Sequence, residues 1–279
     1  MNSIIKRYPL IAYYIFALLL SGIILAILYA TGLAETLFFL GTFGPGLAAI
    51  LVTLLISGGA GVRKLLGSLL IWRVGIQWWL AALLLPALIY LVAVYLFSLF
   101  GGPAVDFSRY QPLYTIIPII IMVTLLNGVG EELGWRGFML PRTQSRYNAL
   151  AASLIVGFFW GLWHAPVYFI EGTAQSMLRS QVGFWAGLLL FTGTTIAISI
   201  TFTWIFNNTQ GSVLIAALLH GANNAWINYF LADPAAEVLG ITIMSTVMWA
   251  LLAIALVIIL RPETLSRSRK KQAYIEETI

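Results

Sequence analysis

The run YPLIAYYIFALLLSGIILAILYA, from Tyr8 to Ala30, carries no charged residue along its whole length. At 1.5 Å per residue such a run crosses a hydrocarbon core of about 30 Å as a helix. Comparable apolar stretches recur from Thr36 to Ser57, Gly75 to Phe100, Leu113 to Leu140, Asn148 to Ile170, Gly183 to Phe206, Gly211 to Phe230 and Leu239 to Leu260. The composition agrees: 61% of the 279 residues are hydrophobic and 9% charged, against about 25% charged in soluble domains. The expected fold is an all-α polytopic membrane protein, a bundle of about eight transmembrane helices. It forms a single integral-membrane domain over 1–279, with a motif-bearing catalytic core at 113–230. Lys6 and Arg7 precede the first run as they would in a secretory signal, but the run exceeds the 7–15 residues of a signal core. It is expected to stay as the first helix. The absence of cysteine excludes disulfides, thiolate nucleophiles and cysteine-ligated metals.

Basic residues set the expected orientation. With the N-terminus cytosolic, the inner side receives Lys6, Arg7, Arg63, Lys64, Arg73, Arg142, Arg146, Arg261, Arg267, Arg269, Lys270 and Lys271, and the outer side only Arg109 and Arg179. Both termini are therefore expected in the cytosol and the protein in a cell membrane, of prokaryotic inner-membrane type. The positive charges are spread over loop ends and a tail, so no basic module for nucleic acid is formed. The stretch Gly61 to Arg73 reads either as an amphipathic helix on the inner leaflet or as an inner loop. Trp78, Trp79, Trp185 and Trp249 fall near span ends and read as interface anchors.

Charge inside a span is costly, so each intramembrane ionisable group is a functional candidate. Three sit together in Asn127-Gly-Val-Gly-Glu131-Glu132-Leu-Gly-Trp-Arg136-Gly137. Helical geometry offers Arg136 to Glu132 as an (i, i+4) partner and turns Glu131 away from it. Glu131 must then meet a metal or a proton-sharing group from another helix, which is what a general base needs. The two histidines of the chain also lie within spans: His164 after Phe159-Trp160-Gly161-Leu162-Trp163, and His220 at the head of His220-Gly-Ala-Asn223-Asn224, with Asn224 one turn on along the same face. Three polar clusters on three helices can be satisfied together around one inward-facing site. Counted from the cytosolic helix ends, Glu131 and His220 lie about 14 Å deep and His164 about 24 Å. That mismatch requires a late entry of the fifth helix or an irregular fourth one.

The chemistry that fits is hydrolysis. Glu131 takes a proton from water, the imidazoles hold that water directly or through a metal, and His220 with Asn224 donates to a developing oxyanion. No Gly-x-Ser-x-Gly elbow is present and no aspartate lies in a span. The competing readings are a non-catalytic immunity or binding protein of the membrane, or a small transporter with Glu131 as its proton site.

The segments Glu131-Glu132-Leu133-Gly134-Trp135-Arg136-Gly137, Trp-Gly-Leu-Trp-His164-Ala-Pro and His220-x-x-x-Asn224 closely resemble the signatures of the CPBP (Abi) family of intramembrane proteases, relatives of the type II CAAX prenyl endopeptidase. The resemblance covers roughly Leu113 to Phe230. It implies a CAAX-protease-like membrane endopeptidase in which Glu131 and His164 activate water and His220 and Asn224 support the oxyanion or a metal. Glu132 and Arg136 would form a structural salt bridge. Trp160 stands where the family often has Phe, which bears on pocket shape. The family mechanism is open between a metal-free water and one held by a divalent ion, zinc first, on His164, His220 and Glu131. The expected partners are the bilayer and a peptide or membrane-protein substrate arriving from the bilayer or its cytosolic face.

Overall fold

The computed structural model describes residues 2–266 apart from 232. The tail beyond 266, with Arg267, Arg269, Lys270 and Lys271, lies outside the described residues. The chain is all-α: eight long helices follow one another, and the β-pairing among the described residues is an isolated bridge between Arg261 and Ser266. They are α1 (Pro9–Ala30), α2 (Phe43–Gly67), α3 (Ile76–Leu99), α4 (Leu113–Gln144), α5 (Ala149–Trp163), α6 (Phe184–Asn208), α7 (Val213–Phe230) and α8 (Pro234–Ile259).

Seven of the eight regions are long and apolar enough to cross a membrane; α7 is the exception. Its sequence explains this, because His220, Asn223, Asn224 and Asn228 lower its hydropathy. Helices that face lipid must be apolar all round, and α7 does not face lipid. It packs against α3 and α4, with α6 behind it, and buries residues from Val213 to Phe230 along its length. By contrast the most apolar window of α1 is 17% buried, and Ile11, Ile15, Leu19, Ile23 and Ile27 form an outward lipid-facing surface.

Two helices depart from regular geometry. α2 begins later than the hydropathy suggests, after a 3-10 turn at Phe38–Thr42, and breaks at Gly58, whose φ of 65° is a conformation that L side chains avoid. The chain continues helically to Gly67 and through a short turn, Ser68–Leu70. α4 contains two π-helical segments, Thr124–Gly128 and Trp135–Met139, on either side of the α-turn Val129–Gly134. Such wide turns commonly mark functional sites, and this pair brackets Glu131 and Glu132. α2 and α4 cross almost backbone to backbone: a Cβ on Gly46 would stand 2.6 Å from the Gly130 carbonyl oxygen.

The tryptophan assignments divide. Trp185 is exposed, as an anchor should be. Trp249 is fully buried in the core, and Trp78 stacks edge-on against Trp204. Both serve packing: Trp249 on the inward face of α8, and Trp78 where α3 meets α6. The Thr-rich face of α6 does form interhelical bonds: Thr195 donates to the Gly157 carbonyl at 3.0 Å, and the Thr194 and Thr246 hydroxyls meet at 2.5 Å.

One end of the bundle gathers both described ends of the chain. Lys6 and Pro9 border the same depression as Arg142 and Arg146, while Ala149 and Leu150 donate backbone bonds to Glu263 and Pro262. Gln144 and Asn207 exchange amide bonds of 3.1 and 2.9 Å, and Asn207 donates onward to the Thr264 carbonyl. This is the terminal face. The opposite face carries Phe38–Thr42, the link from α3 to α4, and the short helix Ala174–Val182.

The α2–α4 crossing is testable. Gly46→Ala forces a backbone shift and is expected to destabilise by about 1–3 kcal/mol, as overpacking does. Gly59→Ala, where a Cβ would meet nothing within 4 Å, should unfold in detergent at the wild-type temperature. Differential scanning fluorimetry of the purified variants reads both.

Candidate active site

The site begins with the (i, i+4) pair in α4. Arg136 Nη1 donates to both oxygens of Glu132 at 2.9 Å, and Nη2 donates to Ser199 of α6 at 3.2 Å. Both side chains are wholly buried. The guanidinium is also held between two rings, 4.6 Å from the Trp160 centroid and 4.1 Å from that of Phe202. A planar cation with a fixed fork of donors suits this slot, where a lysine could not stack and fork together.

Glu132 then reaches α7. His220 Nδ1 donates to Glu132 Oε1 at 2.8 Å, since a carboxylate flanked by Arg136 can only accept. That bond assigns the proton to Nδ1 and leaves Nε2 directed toward Glu131, whose Oε1 is 3.7 Å away. The other oxygen of Glu131, Oε2, accepts a 2.6 Å bond from the indole Nε1 of Trp160 on α5. Glu131 is thus without an arginine, as the helical wheel requires, yet is bonded to Trp160 of α5 and faced by His220 of α7.

His164 closes the arrangement from the end of α5. Its helix stops at Trp163, and a 3-10 turn containing Pro166 follows, so His164 forms the C-cap. Nδ1 donates to the Trp160 carbonyl at 2.9 Å, leaving Nε2 as a lone-pair site. Its ring packs among Trp163, Trp160 and Phe191. The depth mismatch disappears in the structure. α5 starts where expected, but α4 runs on to Gln144, so Glu131 lies about 20 Å and His164 about 22 Å from the start of their helices at the terminal face. α7 begins deeper, with Ser212 Oγ donating to the Ile71 carbonyl.

Glu131, Trp160, His164, His220, Asn223 and Asn224 all line one cavity of about 360 Å³. Glu132 and Arg136 stand behind its wall. Asn223 accepts from Tyr90 at 2.9 Å and donates to Asn224 Oδ1 at 3.2 Å, which leaves the Asn224 amide NH2 as a donor for the cavity. Sequence reasoning missed Tyr90 and Asn223. Tyr90 carries no charge and lies on a helix without motif, so only the fold reveals it. Trp160 was placed as a determinant of shape; the structure adds a direct bond to the carboxylate.

The donor geometry was also compared with the expected divalent ion. Among the described residues no three His, Asp or Glu side chains converge closely enough to hold a metal. Glu131 Oε2 is occupied by the indole of Trp160.

The cavity opens away from the terminal face. Its exposed lining residues include Gly172 and Asn228 at the opposite face, and Leu18 and Gly22 at the side of α1. The expected arrival of a substrate from the bilayer or the cytosolic face meets a cavity whose exposed lining lies at the side of α1 and at the face opposite the termini.

Residues 112–226 match the family described as type II CAAX prenyl endopeptidase Rce1-like, so the resemblance read from the motifs is borne out over that region. The chain is similar to a CAAX prenyl protease 2 of Methanococcus maripaludis, 33% identical over 141 residues, which cover 50% of this chain and 51% of the relative. It is also similar to a lysostaphin resistance protein A of Staphylococcus haemolyticus, 24% identical over 153 residues, 54% of this chain and 38% of the relative. The chain thus matches about half or less of the length of these curated relatives.

The buried ion pair makes a direct prediction. Arg136→Ala strands Glu132 and is expected to cost about 3–5 kcal/mol. Arg136→Lys keeps the charge but loses the fork and the stack, so it should fall between the two. Thermal unfolding in detergent, followed by tryptophan fluorescence, ranks the three proteins.

Proposed function

We propose that the protein is an intramembrane endopeptidase that hydrolyses a peptide bond with a water activated by Glu131. The observation that carries this reading is the Trp160 bond to one oxygen of Glu131, with the other oxygen facing His220 Nε2 inside a cavity. A carboxylate held this way has one oxygen fixed and the other free to take a proton from water in a defined direction. His164 Nε2, with its proton held on Nδ1, supplies a second acceptor for the same water. The Asn224 amide, oriented by Asn223, donates to the oxygen of the attacked carbonyl as its charge develops. The proton that Glu131 takes from water is passed to the departing amine nitrogen as the C–N bond breaks, while His220 stays anchored through Nδ1 to Glu132. The Arg136–Glu132 pair takes no part in the reaction and fixes the angle of the His220 ring.

The match to the type II CAAX prenyl endopeptidase family supports a protease in general terms, and the activated-water mechanism is our own reading. No step is assigned to a metal. The substrate follows from the lining: a peptide or membrane-protein segment without charged side chains, because the described lining residues include no lysine, arginine or aspartate.

Glu131→Gln preserves size and removes the base. Mapping of protein termini in membranes and medium, from a deletion strain carrying wild type or Glu131→Gln at equal abundance, is expected to show termini that depend on wild type alone. Identical maps would shift the assignment to a binding or transport role. Trp160→Phe separates shape from hydrogen bonding: the ring over Arg136 is kept and the bond to Glu131 is lost. Its cleavage rate should fall about 10- to 100-fold, the scale of a hydrogen bond to a charged group, with unfolding temperature close to wild type.

A further inference from the structure

We infer that the depression at the terminal face, between the start of α1 and the ends of α2 and α4, binds the phosphate group of an anionic phospholipid. The depression has a volume of about 320 Å³, with Lys6, Arg142, Arg146 and Ser57 around it and Leu10 and Ile56 as its apolar lining. Three cations meet there, and the described lining residues include no aspartate or glutamate to offset them. Arg142 and Arg146 stand at positions i and i+4 at the end of α4, a spacing at which like charges repel. Lys6, from the short helix ahead of α1, adds a third positive charge. Among the described residues, Arg109, Arg136 and Arg179 are each paired with a glutamate, whereas Arg142 and Arg146 pair with no acid. The cluster therefore calls for an anion from outside the described chain.

Arg142 is held in place for that task. Its guanidinium carbon lies 3.8 Å from the Phe138 ring centroid, and Nη1 donates to the Phe138 carbonyl at 3.2 Å. These contacts fix the plane of the group at the wall of the depression and use one nitrogen of its fork. The remaining N–H groups suit the oxygens of a phosphate. Ser57 adds a hydroxyl from α2, on the far side of the depression from α4.

The location selects the source of the phosphate. α1 begins at Pro9, and Ile11 is already 60% exposed on its lipid-facing side. The depression thus lies where the chain enters the bilayer, at the level of the headgroups. Leu10 and Ile56 offer apolar contact to the glycerol and the first methylenes of a lipid, which a free phosphate ion lacks. Basic pockets between transmembrane helices recognise anionic headgroups by this combination. A bound headgroup would tie α1 and α2 to the end of the helix that carries Glu131 and Glu132. None of the three cations lines the Glu131 cavity, so the inference is independent of the proteolytic reading and of the side of the membrane on which the terminal face lies.

Native mass spectrometry of the full chain in detergent micelles, titrated with phosphatidylglycerol, counts the bound lipid, and thermal unfolding in the same micelles gives a second reading. Lys6 and Arg146 are exposed, so Lys6→Gln/Arg146→Gln is expected to fold as wild type does. Wild type is expected to take up phosphatidylglycerol saturably and to unfold at a higher temperature with it. The double variant should bind about 30-fold more weakly, the scale of two basic side chains near a membrane surface. Arg63→Gln/Arg73→Gln removes the same charge from residues that do not line the depression, and it should bind as wild type does. Equal weakening in the two variants, or equal uptake of zwitterionic phosphatidylcholine by wild type, overturns the site. Inorganic phosphate that stabilises wild type as strongly as phosphatidylglycerol, and fails to stabilise Lys6→Gln/Arg146→Gln, overturns the lipid as the source of the phosphate.

Discussion

The buried pair of Arg136 and Glu132 is the constraint on which the site depends. A cation and an anion withdrawn from water are tolerable only when each is paired and its remaining hydrogen-bonding capacity is used. Here Arg136 engages Glu132 with one nitrogen and Ser199 with another, and two aromatic faces cover its plane, while Nε is left without a hydrogen-bond partner. Those contacts draw α4, α5 and α6 together. Glu132 in turn fixes His220 on α7. A single ion pair thus sets the relative positions of four helices, and the site is what lies on its inner side.

Glu131 inherits its environment from that arrangement. It is one residue along from Glu132 and so points to a different side of α4, into the cavity. There the Trp160 ring that covers Arg136 also presents its N–H to the carboxylate. The same indole therefore contacts both Arg136 and Glu131. The π-helical segments on both sides of this turn widen the helix where two adjacent acids must face different partners. Gly46 and Gly130 allow α2 to come close enough to seal the far side.

α7 shows why an apolar-run count and a fold can disagree without conflict. Its histidine and asparagines make it too polar to sit in lipid, and the bundle resolves this by surrounding it with α3, α4 and α6. The helix that carries His220 and Asn224 is accordingly the one of the eight that is not apolar enough to cross a membrane by itself. α5 ends at His164 because Pro166 cannot continue the helix hydrogen bonds.

Sequence alone determined the all-α membrane class, the order of the helices and the identity of Glu131, Glu132, Arg136, His164 and His220 as one set. Hydrophobic run length and the cost of burying charge act locally, so they can be read residue by residue. The (i, i+4) pairing of Glu132 and Arg136 was legible for the same reason. Tertiary structure decided the partners that come from other helices: the Trp160 bond to Glu131, the His220 bridge to Glu132, and the Tyr90–Asn223–Asn224 chain. It also decided that Trp249 packs in the core and that the cavity opens opposite the termini. Those outcomes depend on where π-turns, a glycine break and a proline stop place each helix relative to its neighbours, and a few ångströms of axial shift leave no trace in hydropathy.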